Sequence, residues 1–387
     1  MSRIVLADRM AAVQESATMA LNAKAKKLAA EGKVVYNLTA GELASDTPEY
    51  IQKAVAKKLH HNKYTPAAGL SELREAIADE SREFYGLDWI KPENVVVTAA
   101  SKPALYAALL ALVNQGDEVI VPMPAWVSYM ELIKLTGGVV VPVPLKDGTF
   151  DIDSGAILGK ITPRTKVIIL NSPNNPTGAV FSKAALQQLA AGLKGSGVTV
   201  ISDDMYAKLV YATGFTPVPT VNFDHIVIVN GFSKSQALTG WRIGYGIADT
   251  AVARAITHLL GHITGNASVT SQHAALEIMK HHNTTPPEIL ETLERQRMVV
   301  DEALRGIPAI RYQLPGGAFY FYLDIRAITR NSLAWCEQLL GETGVALVPG
   351  EAFGTPGFAR LTYSGDEATL KAALQLIKKF VTEGSQT

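Results

Sequence analysis

Short runs of β-branched residues alternate with longer amphipathic stretches through the middle of this 387-residue chain. The short runs are typical of buried strands in a parallel sheet. They are Val95–Thr98, Glu118–Val121, Val139–Val143, Val167–Leu170, Val198–Ser202 and Ile226–Val229. The stretches between them, such as Pro103–Asn114 and Lys183–Leu193, have the period of a helix. The alternation predicts an α/β fold with a mostly parallel sheet, formed between about residue 92 and residue 246.

The pattern changes after the last of these strands. Pro286–Arg305 is predicted to be a long amphipathic helix, and Gly317–Asp324 and Val345–Val348 are predicted to be shorter, half-exposed strands. We therefore expect a large domain over residues 45–285. A smaller α+β domain should combine residues 1–44 with residues 286–387.

Composition narrows the range of partners. Lys and Arg together number 36, as do Asp and Glu, so the chain has no strong field for nucleic acid or an anionic membrane. The single cysteine, Cys336, excludes an internal disulfide and suits a reducing compartment. The first twenty residues lack the pattern of a signal peptide, and the chain lacks an apolar run long enough to span a membrane. We expect a cytoplasmic protein without a metal site that binds small molecules or another copy of itself.

The segment from Asn230 to Gly244 carries the strongest chemical signal. It places Lys234 just after an apolar strand, with Ser233 before it and Arg242 eight residues later. A desolvated lysine has a lowered pKa and forms Schiff bases with aldehydes. A hydroxyl and a guanidinium suit a phosphate group. The segment NGFSKSQALTGWRIG resembles the lysine-attachment signature of class I pyridoxal-phosphate aminotransferases.

That resemblance assigns cofactor roles to residues at the ends of other predicted strands. Ser101 is a suitable N-cap for the helix after Val95–Thr98, and a helix N-terminus is an anion site. Asp203 matches the family's acid for the pyridine nitrogen. Asn175, in the loop NSPNNPTG, and Tyr206 match the donors to the ring oxygen. We expect a catalytic role for Lys234, Asp203 and Tyr206.

Further residues match positions that complete the cofactor and substrate sites. Trp126 is expected to stack on the cofactor ring. Tyr64 matches a tyrosine that reaches the phosphate of the neighbouring subunit, which implies a two-fold homodimer. Arg360 matches the arginine that binds the substrate α-carboxylate as a fork, and Gly41 matches a glycine that lets the same carboxylate approach the backbone. Asn175 and Trp126 are expected to contact the substrate as well.

The resemblance covers nearly the whole chain, from about Ser16 to Ser364, and is closest to the bacterial aspartate aminotransferase branch. Ser16-Ala-Thr18 and Lys102 suit that branch, where a lysine binds the side-chain carboxylate of the substrate. Lys102 has the alternative role of binding the cofactor phosphate. The chain departs from the branch where Leu43-Ala-Ser45 follows Gly-Glu and where Ala99-Ala-Ser101 replaces glycines.

The resemblance implies the pyridoxal-phosphate transferase fold of type I, with a seven-stranded sheet in the large domain. It also implies amino transfer from an amino acid, for which aspartate is our hypothesis, to 2-oxoglutarate, with the lysine amine as general acid–base catalyst. A β-lyase, or an aminotransferase for aromatic amino acids, would use the same cofactor residues. An aminotransferase-like module of a transcription regulator is disfavoured because the chain has neither the basic charge nor the spare length for a DNA-binding domain.

Overall fold

A computed structural model describes residues 4–13 and 17–384. Its strands are β1 (Tyr36–Asn37), β2 (Val95–Thr98), β3 (Glu118–Met123), β4 (Val139–Pro144), β5 (Thr165–Asn171), β6 (Thr199–Asp203), β7 (Ile226–Gly231), β8 (Gly244–Ile247), β9 (Tyr320–Asp324), β10 (Val345–Ala346), β11 (Val348–Pro349) and β12 (Phe358–Thr362). Its helices are α1 (Arg9–Ala12), α2 (Ala17–Ala30), α3 (Glu49–Ala56), α4 (Ser71–Tyr85), α5 (Ser101–Leu112), α6 (Ser128–Leu135), α7 (Ser154–Leu158), α8 (Lys183–Leu193), α9 (Thr250–Ile263), α10 (Val269–Lys280), α11 (Pro287–Arg305), α12 (Ser332–Thr343) and α13 (Glu367–Gly384).

The predicted α/β class and the large, mostly parallel sheet are confirmed. Seven strands form this sheet in the order β2-β8-β7-β6-β5-β3-β4. The pairs β4–β3, β3–β5, β5–β6 and β6–β7 are parallel, while β8 is antiparallel to both β7 and β2. Because β2 therefore runs in the direction of β7, the carboxyl ends of β2, β3, β5, β6 and β7 share one edge. This is the edge where ligands bind in open α/β sheets.

The β-branched runs are the strands, with small shifts at their ends. β2 has the predicted bounds, and β5 and β6 each end one residue later than predicted. The six predicted runs omit β8, Gly244–Ile247, because its glycines interrupt the β-branched pattern. This antiparallel strand lies between β2 and β7 and completes the sheet.

The prediction that the later strands are half-exposed is wrong. β9, and β10 and β11 into which the predicted run Val345–Val348 divides, are buried along almost their whole length. β12, which was not among the predicted strands, is buried as well. β9, β12 and β11 form an antiparallel sheet, and β10 pairs with β1 in parallel. Apolar residues of β9 and β12 contribute to a core with α11 and α13, and others contribute to a core beneath the large sheet. The strands are therefore covered on both faces.

The boundaries of the two domains stay a prediction. Within residues 4–13 and 17–384, no helix is both long and apolar enough to cross a membrane.

Candidate functional site

A cavity of about 670 Å³ opens at the carboxyl edge of the large sheet. It is lined by residues that follow β2, β3, β5, β6 and β7, together with residues from the loop after β1 and from β9 and β12. All the residues that we expected at the site line it, with the exception of Tyr64. They are Gly41, Ser101, Lys102, Trp126, Asn175, Asp203, Tyr206, Ser233, Lys234, Arg242 and Arg360.

Lys234 projects its amine into this cavity from the turn that follows β7. The side chain is half-buried, and Nζ donates a hydrogen bond to the carbonyl oxygen of Gly41. Burial lowers the pKa of Lys234 to about 8, and the positive charges of Arg360 and Arg242 act in the same direction. A larger fraction of the amine is therefore neutral, and so nucleophilic, near neutral pH than for a solvated lysine.

Asp203 ends β6 and is buried at the cavity wall. Its Oδ2 accepts a hydrogen bond of 2.7 Å from the Tyr129 hydroxyl, and its Oδ1 accepts one of 3.3 Å from the Met205 N–H. Burial raises the pKa of Asp203 to about 6, against the lowering effect of these donors. The neighbouring Asp204 is also buried, which raises its pKa to about 7. Asp203 is thus held in one position, and when it is charged its buried carboxylate is stabilised by a cationic or N–H partner.

Two tyrosines and an asparagine meet beside this acid. The hydroxyls of Tyr206 and Tyr320 are 2.8 Å apart, and Asn175 Nδ2 donates to the Tyr206 oxygen at 3.4 Å. Burial raises the pKa of Tyr206 well above its usual value, so the hydroxyl keeps its proton and remains a donor. The Asn175 backbone N–H is itself held by Asn171 Oδ1 at 2.8 Å.

Arg360 is a buried cation on β12, with 3% of its surface exposed. Nη1 donates to Asn175 Oδ1 at 3.0 Å and Nη2 donates to the Thr39 carbonyl at 2.8 Å. The guanidinium lies 4.5 Å from the centre of the Tyr320 ring and 5.1 Å from that of Phe353. Within the described residues its Nε has no hydrogen-bond partner and no carboxylate pairs with it. A desolvated cation in this state is a site for an anion.

The turn before α5 differs from the sequence prediction in one respect. Ser101 is the first residue of α5, and Ala100 takes the N-cap position that we expected for Ser101. Ala100 adopts φ 81° and ψ 171°, while the Thr98 hydroxyl donates to its carbonyl at 2.6 Å. The turn packs so closely on β8 that a Cβ on Gly244 would lie 2.6 Å from the Ser101 nitrogen. The N-terminus of α5 is thereby directed to the cavity.

Donors for an anion surround this helix start. Ser233 is buried beside Lys234. Arg242 is exposed, and its Nη1 donates a hydrogen bond of 3.0 Å to the Thr239 carbonyl. Lys102 Nζ lies 4.8 Å from the centre of the Trp126 ring, and burial, then the charge of Arg242, lowers its pKa. Two hydroxyls, a guanidinium and the free N–H groups of a helix start form a set that suits a phosphate.

Sequence reasoning missed Tyr129 and Tyr320. Tyr129 follows Trp126 on the same turn, with their rings edge to face at 5.4 Å, and it orients Asp203. Tyr320 contacts both Tyr206 and Arg360. Both lie in apolar aromatic segments, which predict a core rather than a site.

Two expectations concern residues away from the described cavity. Tyr64 is 97% exposed and lies outside the cavity lining. Ser16-Ala-Thr18 falls where the structure does not describe the side chains. Among the residues that are described, no cluster of His, Cys, Asp and Glu is arranged to hold a metal ion.

The chain is similar to known proteins over almost its entire length. A model of the family described as aminotransferase class I and II matches residues 33–377. The aspartate aminotransferase of Thermotoga maritima is 39% identical over 97% of this chain and 99% of its own length. The probable aspartate/prephenate aminotransferase of Aquifex aeolicus is 38% identical over 98% and 99%, respectively. The solved structure of Thermus thermophilus aspartate aminotransferase with maleate superposes with a TM-score of 0.93, at 37% identity over 97% of this chain and 100% of that one.

Proposed function

The chain belongs to the class I and II aminotransferases, and on that premise we propose that it transfers the amino group of aspartate to 2-oxoglutarate with pyridoxal phosphate bound at Lys234. Enzymes of this family are transaminases that depend on pyridoxal phosphate. The identity of the amino donor and the role of each residue are the parts that we propose.

The cavity offers the groups that the cofactor requires. The Lys234 amine would take the aldehyde, and Asp203 would face the pyridine nitrogen. The phosphate would be bound by Ser101, Ser233 and Arg242. The ring oxygen would accept hydrogen bonds from Asn175 and Tyr206, and Trp126 would stack on the face of the ring. When bound, pyridoxal phosphate supplies an electron sink for the pair of electrons released at the substrate Cα.

The residues of the chain then perform the proton chemistry. The lowered pKa of Lys234 would let its amine take the proton from the substrate Cα as general base and deliver it, as general acid, to the cofactor carbon that keeps the amino group. Tyr129 and the Met205 N–H hold the Asp203 carboxylate in place, where it would keep a proton on the pyridine nitrogen. Tyr206 retains its proton and would donate a hydrogen bond to the ring oxygen of the cofactor as negative charge develops there.

Arg360 carries the proposal that the substrate is an amino acid. It is a buried guanidinium without a carboxylate partner among the described residues, held by Asn175 and Thr39 so that its remaining N–H groups can bind the α-carboxylate. Gly41 supports the binding of an α-carboxylate at Arg360. A Cβ at Gly41 would lie 3.0 Å from the Tyr320 hydroxyl and would narrow the space through which the carboxylate reaches the backbone.

Aspartate is our choice of donor because the related enzymes are named for it and because Lys102 adds a positive charge at the cavity. Lys102 would bind the side-chain carboxylate of the substrate. Its alternative partner is the cofactor phosphate, since Arg242 is near enough to lower its pKa.

A second copy of the chain would complete the site. Tyr64 is 97% exposed, and Ile4, Val5 and Leu6 are 86%, 91% and 72% exposed. A run of three consecutive exposed apolar residues is typical of a segment that packs against a partner. We propose a two-fold homodimer in which Tyr64 binds the cofactor phosphate of the partner subunit.

Nitrogen transfer tests the reaction itself. The enzyme loaded with pyridoxal phosphate is given ¹⁵N-labelled aspartate and 2-oxoglutarate, and the products are identified by mass spectrometry. We expect ¹⁵N-labelled glutamate and an equal amount of unlabelled oxaloacetate. Lys234→Ala should lower kcat by about a thousandfold or more, because it removes the general acid–base group.

Amino donors and acceptors that include aromatic amino acids and prephenate serve as the comparison set. Labelled ammonia, or pyruvate released from a sulfur amino acid, would support the β-lyase and contradict the proposal. A preference for aromatic donors over aspartate would contradict the choice of substrate alone.

A further inference from the structure

Three polar residues connect helix α2 to the substrate side of the cavity. Asn22 of α2 lines the cavity, and its Oδ1 accepts a hydrogen bond of 2.7 Å from Asn37 Nδ2. Asn37 Oδ1 in turn accepts two hydrogen bonds from Thr39, one from the backbone N–H at 3.1 Å and one from the hydroxyl at 2.7 Å. The Thr39 carbonyl then accepts the hydrogen bond from Arg360.

The direction of each hydrogen bond in this network is fixed by one group. The Thr39 backbone N–H can only donate, so the atom of Asn37 that faces it must be the oxygen. Asn37 therefore points its Nδ2 at Asn22, and the atom of Asn22 that meets it must also be an oxygen. Asn22 is left with its Nδ2 hydrogens, which have no partner among the described residues, at the wall of the cavity. The network thus leaves Nδ2 as the side-chain atom of Asn22 that is available to donate to a ligand in the cavity.

We propose that Asn22 is a specificity-determining residue whose Nδ2 donates to the side-chain carboxylate of a dicarboxylic substrate. The inference rests on the proposed function, because it takes the α-carboxylate to lie at Arg360. Asn37 and Thr39 stand between Asn22 and Arg360 in the network, so the amide and the guanidinium can serve the two ends of one substrate.

The amide complements the proposed role of Lys102. A lysine attracts a negative charge from a distance, whereas a neutral amide in a fixed orientation forms a hydrogen bond only with an oxygen at one position. A hydrogen bond to a charged group changes affinity by about tenfold to a hundredfold. The loss of Asn22 as a donor should therefore be measurable in the binding of dicarboxylates.

Asn22→Asp is the most direct variant. The new carboxylate still accepts the hydrogen bond from Asn37, but it presents an acceptor and a negative charge in place of the donor. Inhibition constants of the loaded enzyme are measured for maleate and for isocrotonate, its analogue with a single carboxylate. We expect the variant to bind maleate at least about tenfold more weakly, while the affinity for isocrotonate changes by less than about twofold.

Asn37→Asp tests the orientation argument without altering a residue that lines the cavity. The aspartate still accepts from Thr39, but Asn22 must now rotate its amide to donate to it, and so turn its oxygen to the cavity. Maleate affinity should fall while isocrotonate affinity is nearly retained. Lys26→Ala, an exposed position on the same helix, is the matched control and should change neither constant. Thermal midpoints of all variants show whether each is folded.

Equal weakening of both inhibitors, or no weakening of either, would overturn the inference and leave Asn22 as a residue that only holds α2 in place. In that case wild type still prefers maleate. If wild type itself binds maleate no better than isocrotonate, the dicarboxylate specificity under the proposed function is wrong, and the inference is overturned with it.

Discussion

Ala100 occupies a backbone conformation that is almost restricted to glycine. Its φ of 81° and ψ of 171° place the Cβ in an unfavourable position, and the residue is 3% exposed. The hydrogen bond from Thr98 and the contact with Gly244 hold the turn against this strain. In the sequence, the alanines in this turn mark a departure from the glycines of the aminotransferase family. Of the alanines in this turn, Ala100 is the one that adopts the strained positive φ.

Ala100→Gly should stabilise the protein. Removing the Cβ relieves the positive-φ strain, which exceeds the entropy that glycine adds to the unfolded chain, so the thermal midpoint of the cofactor-free protein should rise by about 1–2 °C. Differential scanning fluorimetry measures it. Ala99→Gly is the matched control, because Ala99 does not have a positive φ; its midpoint should stay equal or fall. A lower midpoint for Ala100→Gly would show that the turn is not strained.

At this scale the sequence predicted residues with distinctive chemistry and missed those with ambiguous chemistry. Lys234 stands in a pattern that indicates a site, Asp203 and Arg360 match charged positions of the resembled family, and all three line one cavity. Tyr129 and Tyr320 carry hydroxyls that complete that site, but an aromatic residue in an apolar run equally predicts a core residue. Only their three-dimensional neighbours separate the two roles.

At the scale of elements, the connection between α10 and α11 is tied to the loops that carry the site. Gln236 Nε2 donates to the Thr284 carbonyl at 2.9 Å, and Lys208 Nζ donates to the Asn283 carbonyl at 3.0 Å. Gln236 and Lys208 each follow a site residue, Lys234 and Tyr206, by two positions. Lys208 also forms an ion pair with Glu80 of α4, in which the side chains are 15% and 14% exposed.

Breaking this ion pair should destabilise the protein unless both charges are removed. Lys208→Met leaves the Glu80 carboxylate desolvated without a partner and should reduce the free energy of unfolding by about 3 kcal/mol. Lys208→Met combined with Glu80→Gln should recover part of that loss, since no lone charge remains. Urea unfolding of the two single variants and the double variant measures the coupling. Additive losses would contradict an energetically coupled pair.

Element types were predicted well because period and β-branching depend on local sequence. The bounds of β2 and α8 match the expected ranges, and α11 begins one residue later than expected. The burial of β9 and β12 was not predictable from the same patterns. A strand shows its composition in the sequence, but the two layers that cover it come from distant segments, here α11 and α13 on one face and the core beneath the large sheet on the other.

For the whole molecule, the family resemblance predicted how distant segments come together. Gly41, Lys234 and Arg360 are far apart in the chain, yet Lys234 contacts Gly41 and all three line the cavity. Composition and period alone indicate an α/β protein; they do not place the loop after β1 against the turn after β7. The prediction for Tyr64 requires a second subunit, because the residue lies outside the cavity of its own chain.

The cavity around Lys234 is the proposed chemical centre, and a second copy of the chain is proposed to complete it. Lys234→Ala and Tyr64→Ala are purified separately, then unfolded and refolded together, and aspartate-dependent transamination is measured. In a mixed dimer, the subunit with an intact Lys234 faces the intact Tyr64 of the partner subunit.

Each variant alone should have little activity. The refolded mixture should regain about a quarter of wild-type activity, because half of the dimers are mixed and each mixed dimer has one intact site. Separate refolding of each variant is the control. Wild-type activity in Lys234→Ala alone, or a refolded mixture that stays as inactive as its components, would contradict the account.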